Sequence, residues 1–196
     1  SARPRPRGDG KSYIFRDSVT LAISREGPKK VAQLRELEQA LQEMYRVLKP
    51  RGRLVMSDPT CEQDIPENLR EDERLRALCL SGSLPLWDYI KMITDAGFGT
   101  VEIRAKRPYR ILDPKNYDTN ELLFIESVEV CAIKDPMPAD GPCVFTGKTA
   151  IYFGNEESFD DDNGHVLLPN QPLSVCDKTA AALASLVNFT GNLNLS

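Results

Sequence analysis

Five cysteines, Cys61, Cys79, Cys131, Cys143 and Cys176, carry most of the soft-ligand chemistry of this 196-residue chain, with one histidine, His165. Their number is odd and no two form a CxxC pair. Such a set makes no spaced zinc site and reads as reduced, intracellular thiols. Cys79 lies in RALCLSGSLPLWDY (76–89), where an apolar run meets a small-residue turn. Packing alone favours core filling there, because unpaired cysteine is among the most buried residue types. Cys143 sits in a Gly-Pro-flanked loop, poor ground for core packing, which favours an exposed and reactive thiol. Cys131 follows Val130 within a long apolar strand and reads as core. Cys61, in the turn after RLVMSDPT, reads as an incidental surface thiol, with a substitute third ligand as the alternative.

Other chemistries lack parts. His165 follows FDDDNG, but a calcium loop aligned on Gly164 would begin at Phe159 and end at Asn170, neither of which is the required acid. Asn163-Gly164 is better read as a hairpin turn with its acids solvated. No GxSxG phrase supports a serine hydrolase. Trp87 and Tyr89 read as core and rim rather than a stacking platform.

The chain has 25 basic and 29 acidic residues, a net charge of -4 and 41% hydrophobic content. That balance provides no general field for holding phosphate backbones, so nucleic acid is not an expected partner. No apolar run reaches the roughly 18 residues of a membrane helix. The expectation is a soluble, cytoplasmic protein, and the sequons at Asn188 and Asn194 read as chance matches.

The elements that must position these residues follow from periodicity. Residues 1–11, SARPRPRGDGK, cannot bury enough surface to order and read as a disordered arm. Val19–Ile23 has strand character. Val31, Leu34, Leu37, Leu41, Met44, Tyr45 and Leu48 line one helix face that ends at Lys49, before Pro50. Arg53–Ser57 reads as a strand closing on an Asp58-Pro59 turn, and Pro66–Leu80 as one helix. A second helix runs from Leu84, with Ser83 as N-cap, to Gly97. Thr100–Ala105 and Leu122–Lys134 read as strands, and residues 108–120 between them as loop. Beyond a turn-rich linker lie a strand over Lys148–Phe153, a short HVLLP strand and a helix over Lys178–Val187. Alternating helix and strand that finish in two consecutive strands predict half of a three-layer α/β sheet with an antiparallel strand added at its edge. The domains expected are 12–134 for this unit and 135–196 for a small α+β extension.

ALQEMYRVLKPRGRLVMSD (40–58) resembles the helix-turn-strand of class I S-adenosylmethionine-dependent methyltransferases, whose phrase is commonly RVLKPGG; Arg51 here replaces the first glycine. RALCLSGSLPLWDYIKMITDAGF resembles a segment of arsenite methyltransferases in which a cysteine beside a small-residue turn is an arsenic ligand. GPCVFTGKTAIYFG and GHVLLPNQPLSVCDKTA resemble their C-terminal domain, whose opening cysteine is another ligand. The resemblance implies a partial class I methyltransferase (Rossmann-like) fold with an arsenic-binding C-terminal unit. It implies Cys79 and Cys143 as metalloid ligands, and leaves Cys176 a landmark without a role. S-adenosylmethionine is the implied cofactor and thiol-bound arsenic(III) the implied methyl acceptor.

The family's glycine-rich cofactor phrase is missing: the early glycines are Gly8, Gly10 and Gly27, none following a strand. That loop needs glycine because backbone approaches ligand closely at the sheet's switch point. Ser24 would fall near the adenine end of such a ligand. The chain is therefore expected to lack the cofactor half and to be inactive alone. Two other readings stand beside this one. One is a non-catalytic module that pairs with itself through an incomplete sheet edge. The other is a methyltransferase fold acting on a small organic substrate.

Overall fold

The computed structural model describes residues 16–21, 30–190 and 193–195, with side chains from Leu34 to Leu186 save Ala77. The arm at 1–11 and Ser24 lie outside the described residues. In chain order the elements are β1 (Arg16–Leu21), α1 (Lys30–Val47), β2 (Leu48–Cys61), α2 (Glu67–Arg70), α3 (Glu73–Ala77), β3 (Leu84–Pro85), α4 (Leu86–Asp95), β4 (Thr100–Leu112) and β5 (Leu123–Ile133). They continue as β6 (Cys143–Phe145), β7 (Thr149–Tyr152), β8 (Phe159–Asp160), β9 (Val166–Leu167), β10 (Pro172–Ser174), α5 (Asp177–Thr190) and β11 (Leu193–Leu195).

The predicted apolar stripe of α1 does bury: Leu37 and Leu41 enter the main core, with Leu34, Met44 and Tyr45 packed against it. The helix stops at Val47 and the chain turns directly into β2. Its last carbonyls are finished from a distance, because Lys134 Nζ donates to Tyr45 O at 2.6 Å and to Leu48 O at 2.9 Å. A cation placed there satisfies orphan acceptors and complements the helix dipole.

Strand β1 runs parallel to β2, so β1-α1-β2 is a crossover unit, and the main sheet has the order β1-β2-β5-β4-β6 with β3 attached to β2. Strand β5 is antiparallel to both β2 and β4. This is the α/β sheet that the alternation predicts, but the antiparallel strand β5 lies between β2 and β4 rather than at the edge. Helices α1 and α4 cover one core made with Leu54, Met56, Val128, Val130 and Ala132 of the sheet. Tyr89 lies in that core at 1% exposure, whereas Trp87 is exposed.

Several expectations are corrected. Strand β2 does not close at Asp58-Pro59 but continues to Cys61, paired with β5 as far as Ile125. Pro59 lies within that pairing, opposite Ser127. As a result Cys61 is a buried thiol rather than a surface one. The single helix over 66–80 is two short helices. Asp72 divides them, since its carboxylate accepts from the backbone N–H groups of Arg74 and Leu75 and opens a new helix. The Arg74 guanidinium beside Asp72 holds that carboxyl down at about 2. Ser83 does not cap α4; it is fully buried ahead of the β3 bridge, and Pro85 precedes the helix. Residues 108–112 are strand, not loop, because they pair with Leu123–Glu126 across one register shift, between Pro108 and Arg110.

Residues after Lys134 are not wholly separate from this sheet, since β6 adds to the edge strand β4 in parallel. Beyond it, β10-β7-β11 and the hairpin β8-β9 pack with α5 around Ala150, Tyr152, Leu167, Val175 and Leu183. Among the described residues no helix is long and apolar enough to cross a membrane.

Candidate functional site

The segment that begins β6 is bound to the start of α5 from both sides. Ahead of Cys143, Lys178 Nζ donates to Asp140 Oδ1 at 2.6 Å and to Gly141 O at 2.8 Å. Behind it, Thr146 Oγ1 donates to Asp177 Oδ1 at 2.6 Å, and Lys148 Nζ lies 3.2 Å from the same oxygen. Cys143 is thereby held near the residue that precedes α5, Cys176, close enough for the second thiol to act on the first. Cys176 itself is buried, with its sulfur 3.2 Å from Thr179 Oγ1.

Cys143 is half-buried and faces an open cleft of about 520 Å³ lined by Asp140, Asp161, His165, Lys178 and Thr179. Burial pushes its thiol up, the Cys176 thiol adds to the effect, and the Lys178 ammonium opposes it. Burial works against the Lys178 charge, but its contacts with Asp140 and the two thiols outweigh that and its pKa is raised. Opposite lies the β8-β9 turn. Asp161 accepts from the backbone N–H groups of Asn163 and His165, each at 2.9 Å, and from His165 Nδ1 at 2.7 Å. Burial would raise its carboxyl, yet these contacts together leave it lowered. Asp161 is thus built into the turn rather than solvated, while Asp160 and Asp162 beside it are exposed as expected. The i,i+4 spacing of Asp161 and His165 was the only trace of this pair in the sequence.

Cys79 is elsewhere. It follows α3 in a left-handed conformation, φ 59°, with its N–H bonded to Arg76 O. The next residue, Leu80, is buried in a second core with Cys61, Leu75, Leu112 and Ile125, at the C-terminal end of β2. Cys143 is in register with Thr100, Ile133 and Arg53 across the sheet, at the opposite end of β2. From Arg53 to Cys61 is about 26 Å along the strand, and β6 is three strand spacings, about 14 Å, to the side. Cys79 thus adjoins the core at one end of β2, whereas Cys143 is in register with the other end and lies near Cys176, a proximity that spacing could not reveal. Cys131 is fully buried in β5, where burial raises its thiol. All five cysteines are reduced, and the described residues contain no group of three or more His, Cys, Asp or Glu suited to a metal ion.

The described residues do not make a nucleotide-type cofactor pocket on their own. In open α/β sheets such a ligand lies outside the carboxyl ends of the strands, on a glycine turn. The first described glycine, Gly52, lies at the amino end of the β2–β5 pairing, and an added Cβ there would meet Lys49 O at 2.8 Å. That glycine serves a tight backbone turn.

Residues 12–116 match the family model described as a methyltransferase domain. The chain belongs to that family. S-adenosylmethionine is the cofactor the family implies for this methyltransferase-domain chain. It is 34% identical over 76 residues to an arsenite methyltransferase of Aquipseudomonas alcaligenes, a match covering 39% of this chain and 22% of the relative. It is 32% identical over 71 residues to an arsenite methyltransferase of Halobacterium salinarum, covering 36% and 18%. The matched stretch thus spans about a fifth of either relative's length. Among solved structures, it is similar to an arsenic (III) S-adenosylmethionine methyltransferase from Chlamydomonas reinhardtii, with 23% identity and a TM-score of 0.45, covering 81% of this chain and 54% of that one.

Proposed function

We propose that this methyltransferase-domain chain serves S-adenosylmethionine-dependent methylation of trivalent arsenic, and that it supplies thiols which hold the arsenic. Trivalent arsenic is soft and prefers thiolate. The observation that carries the reading is Cys143, a thiol facing an open cleft beside the Lys178 ammonium. Cys79, the other ligand implied by resemblance, lies at the far end of β2 and in this arrangement takes arsenic separately. Binding of the acceptor is the part of the reaction that these residues perform: they fix the arsenic and desolvate it.

Intact mass of the reduced chain with a trivalent arsenical tests this. Uptake is expected, diminished in Cys143→Ser and in Cys79→Ser; unchanged uptake in both variants defeats the reading. Calorimetry with S-adenosylmethionine is expected to show no measurable binding by the chain alone, since its described residues form no glycine turn at the carboxyl ends of the strands.

One observation favours a second reading, self-association. Among the described residues β1 pairs only with β2, so it ends the sheet, and a strand at an edge offers backbone groups to another chain. Sedimentation at several concentrations decides it: a chain that stays monomeric throughout counts against association.

A further inference from the structure

We propose that Cys143 and Cys176 act together as one dithiol site, closing two As–S bonds on a trivalent arsenical that keeps a third substituent. The inference rests on the arsenic reading and adds to it the sulfur that Cys143 lacks if Cys79 is out of reach.

Three features of the fold support it. Two sets of contacts, Lys178 with Asp140 and Gly141 and Thr146 with Asp177, clamp the chain on both sides of Cys143 to the first turn of α5. The clamps bring the segments of Cys143 and Cys176 together with the two thiols near each other, so a ligand meets a positioned pair rather than two mobile thiols. The cleft in front of Cys143 gives the third substituent somewhere to go. Two donors, with no third His, Cys, Asp or Glu grouped with them, suit a centre that needs only two thiolates. The Lys178 ammonium stabilises the Cys143 sulfur as it ionises.

The step balances without an oxidant. A monosubstituted arsenical enters with two hydroxyls on arsenic. Each thiol displaces one hydroxyl, an As–S bond replaces an As–O bond, and the thiol proton leaves with the hydroxyl as water. Arsenic stays trivalent and both sulfurs stay at the thiolate level.

Phenylarsine oxide is the probe, because it retains its phenyl group and offers two exchangeable valences. The 196-residue reduced chain is treated with it, then alkylated in denaturant, where burial no longer protects a thiol, and mapped by peptide mass. One phenylarsenic group per chain is expected, with Cys143 and Cys176 both unalkylated. Cys143→Ala and Cys176→Ala should each bind at this site on the order of 100-fold more weakly, the loss expected when a two-point attachment becomes one-point, and Cys79→Ala should leave both of these thiols protected. If Cys143 and Cys79 are the protected pair, the dithiol is wrong while arsenic capture stands. If Cys176 is alkylated as fully as without the probe, the proposal is overturned; if no thiol is protected, both fall. The map is read on the parent chain, so it holds even where Cys176→Ala folds poorly.

Discussion

Tyr89 donates its hydroxyl proton to Asp58 Oδ2 at 2.5 Å, joining α4 to β2 inside the core, where the two residues are 1% and 2% exposed. The same hydroxyl lies 3.7 Å from Met56 Sδ. The carboxylate is buried because β2 carries it on the face that also presents Leu54 and Met56. Tyr89→Phe keeps the ring and removes a donor from a buried acceptor. Urea denaturation should show a loss of about 1 to 3 kcal/mol with an unchanged slope.

Gly97 follows α4 with φ at 109°, and the Tyr45 ring lies where its side chain would be, 3.0 Å from an added Cβ. Tyr45 is in turn edge-on to Phe98, with ring centroids 5.1 Å apart. Gly97→Ala combines an unfavourable backbone with a crowded ring. A destabilisation of more than about 1 kcal/mol is expected by thermal or urea unfolding. A similar change at Gly141, where nothing crowds an added Cβ but φ is also positive, should cost less.

Asp161 gives a pH signature. Its folded carboxyl lies below the ordinary value, so it contributes stability above about pH 4 that is lost as pH falls through the lowered value. Asp161→Asn should therefore be less stable than the parent at pH 7, by about 1 kcal/mol given the solvent at the turn. The two chains should converge in acid. Denaturation at pH 7, 4 and 2.5 checks the sign.

Lys178 opposes the upward push on the Cys143 thiol. Lys178→Met should move thiol ionisation further up and slow alkylation of Cys143 at pH 8 several-fold. Alkylation rate against pH separates the two effects: a shifted midpoint reports the lost charge, and a lower plateau reports altered access. Lys178→Arg should restore much of the rate.

How much of this was legible from residues alone depends on the reach of each interaction. The stripe of α1, the end of α4 at Gly97 and the apolar run of β5 are local patterns, and they appear in the structure close to where spacing places them. Residues 108–112 are strand only because Leu123–Glu126 run beside them; proline and nearby turn residues hide that from any local window. The break at Asp72 was written as a capping residue, but a continuous apolar stripe around it reads as one helix. Buried Cys61 follows from the continuation of β2, a pairing with β5 rather than a local preference. The proximity of Cys143 to Cys176 depends on side chains that clamp two segments about thirty residues apart, beyond the range of spacing rules.

Lys134 donates to the carbonyls of Tyr45 and Leu48, residues 89 and 86 positions earlier in the chain. During synthesis, therefore, the final turn of α1 emerges from the ribosome long before the ammonium group that completes it. At translation speeds of about 5 to 20 residues per second, that interval lasts several seconds. The nascent helix must fray at its exit end throughout, and only the arrival of β5 seals it. A pause or premature stop ahead of Lys134 would leave an unfinished crossover for chaperones to hold.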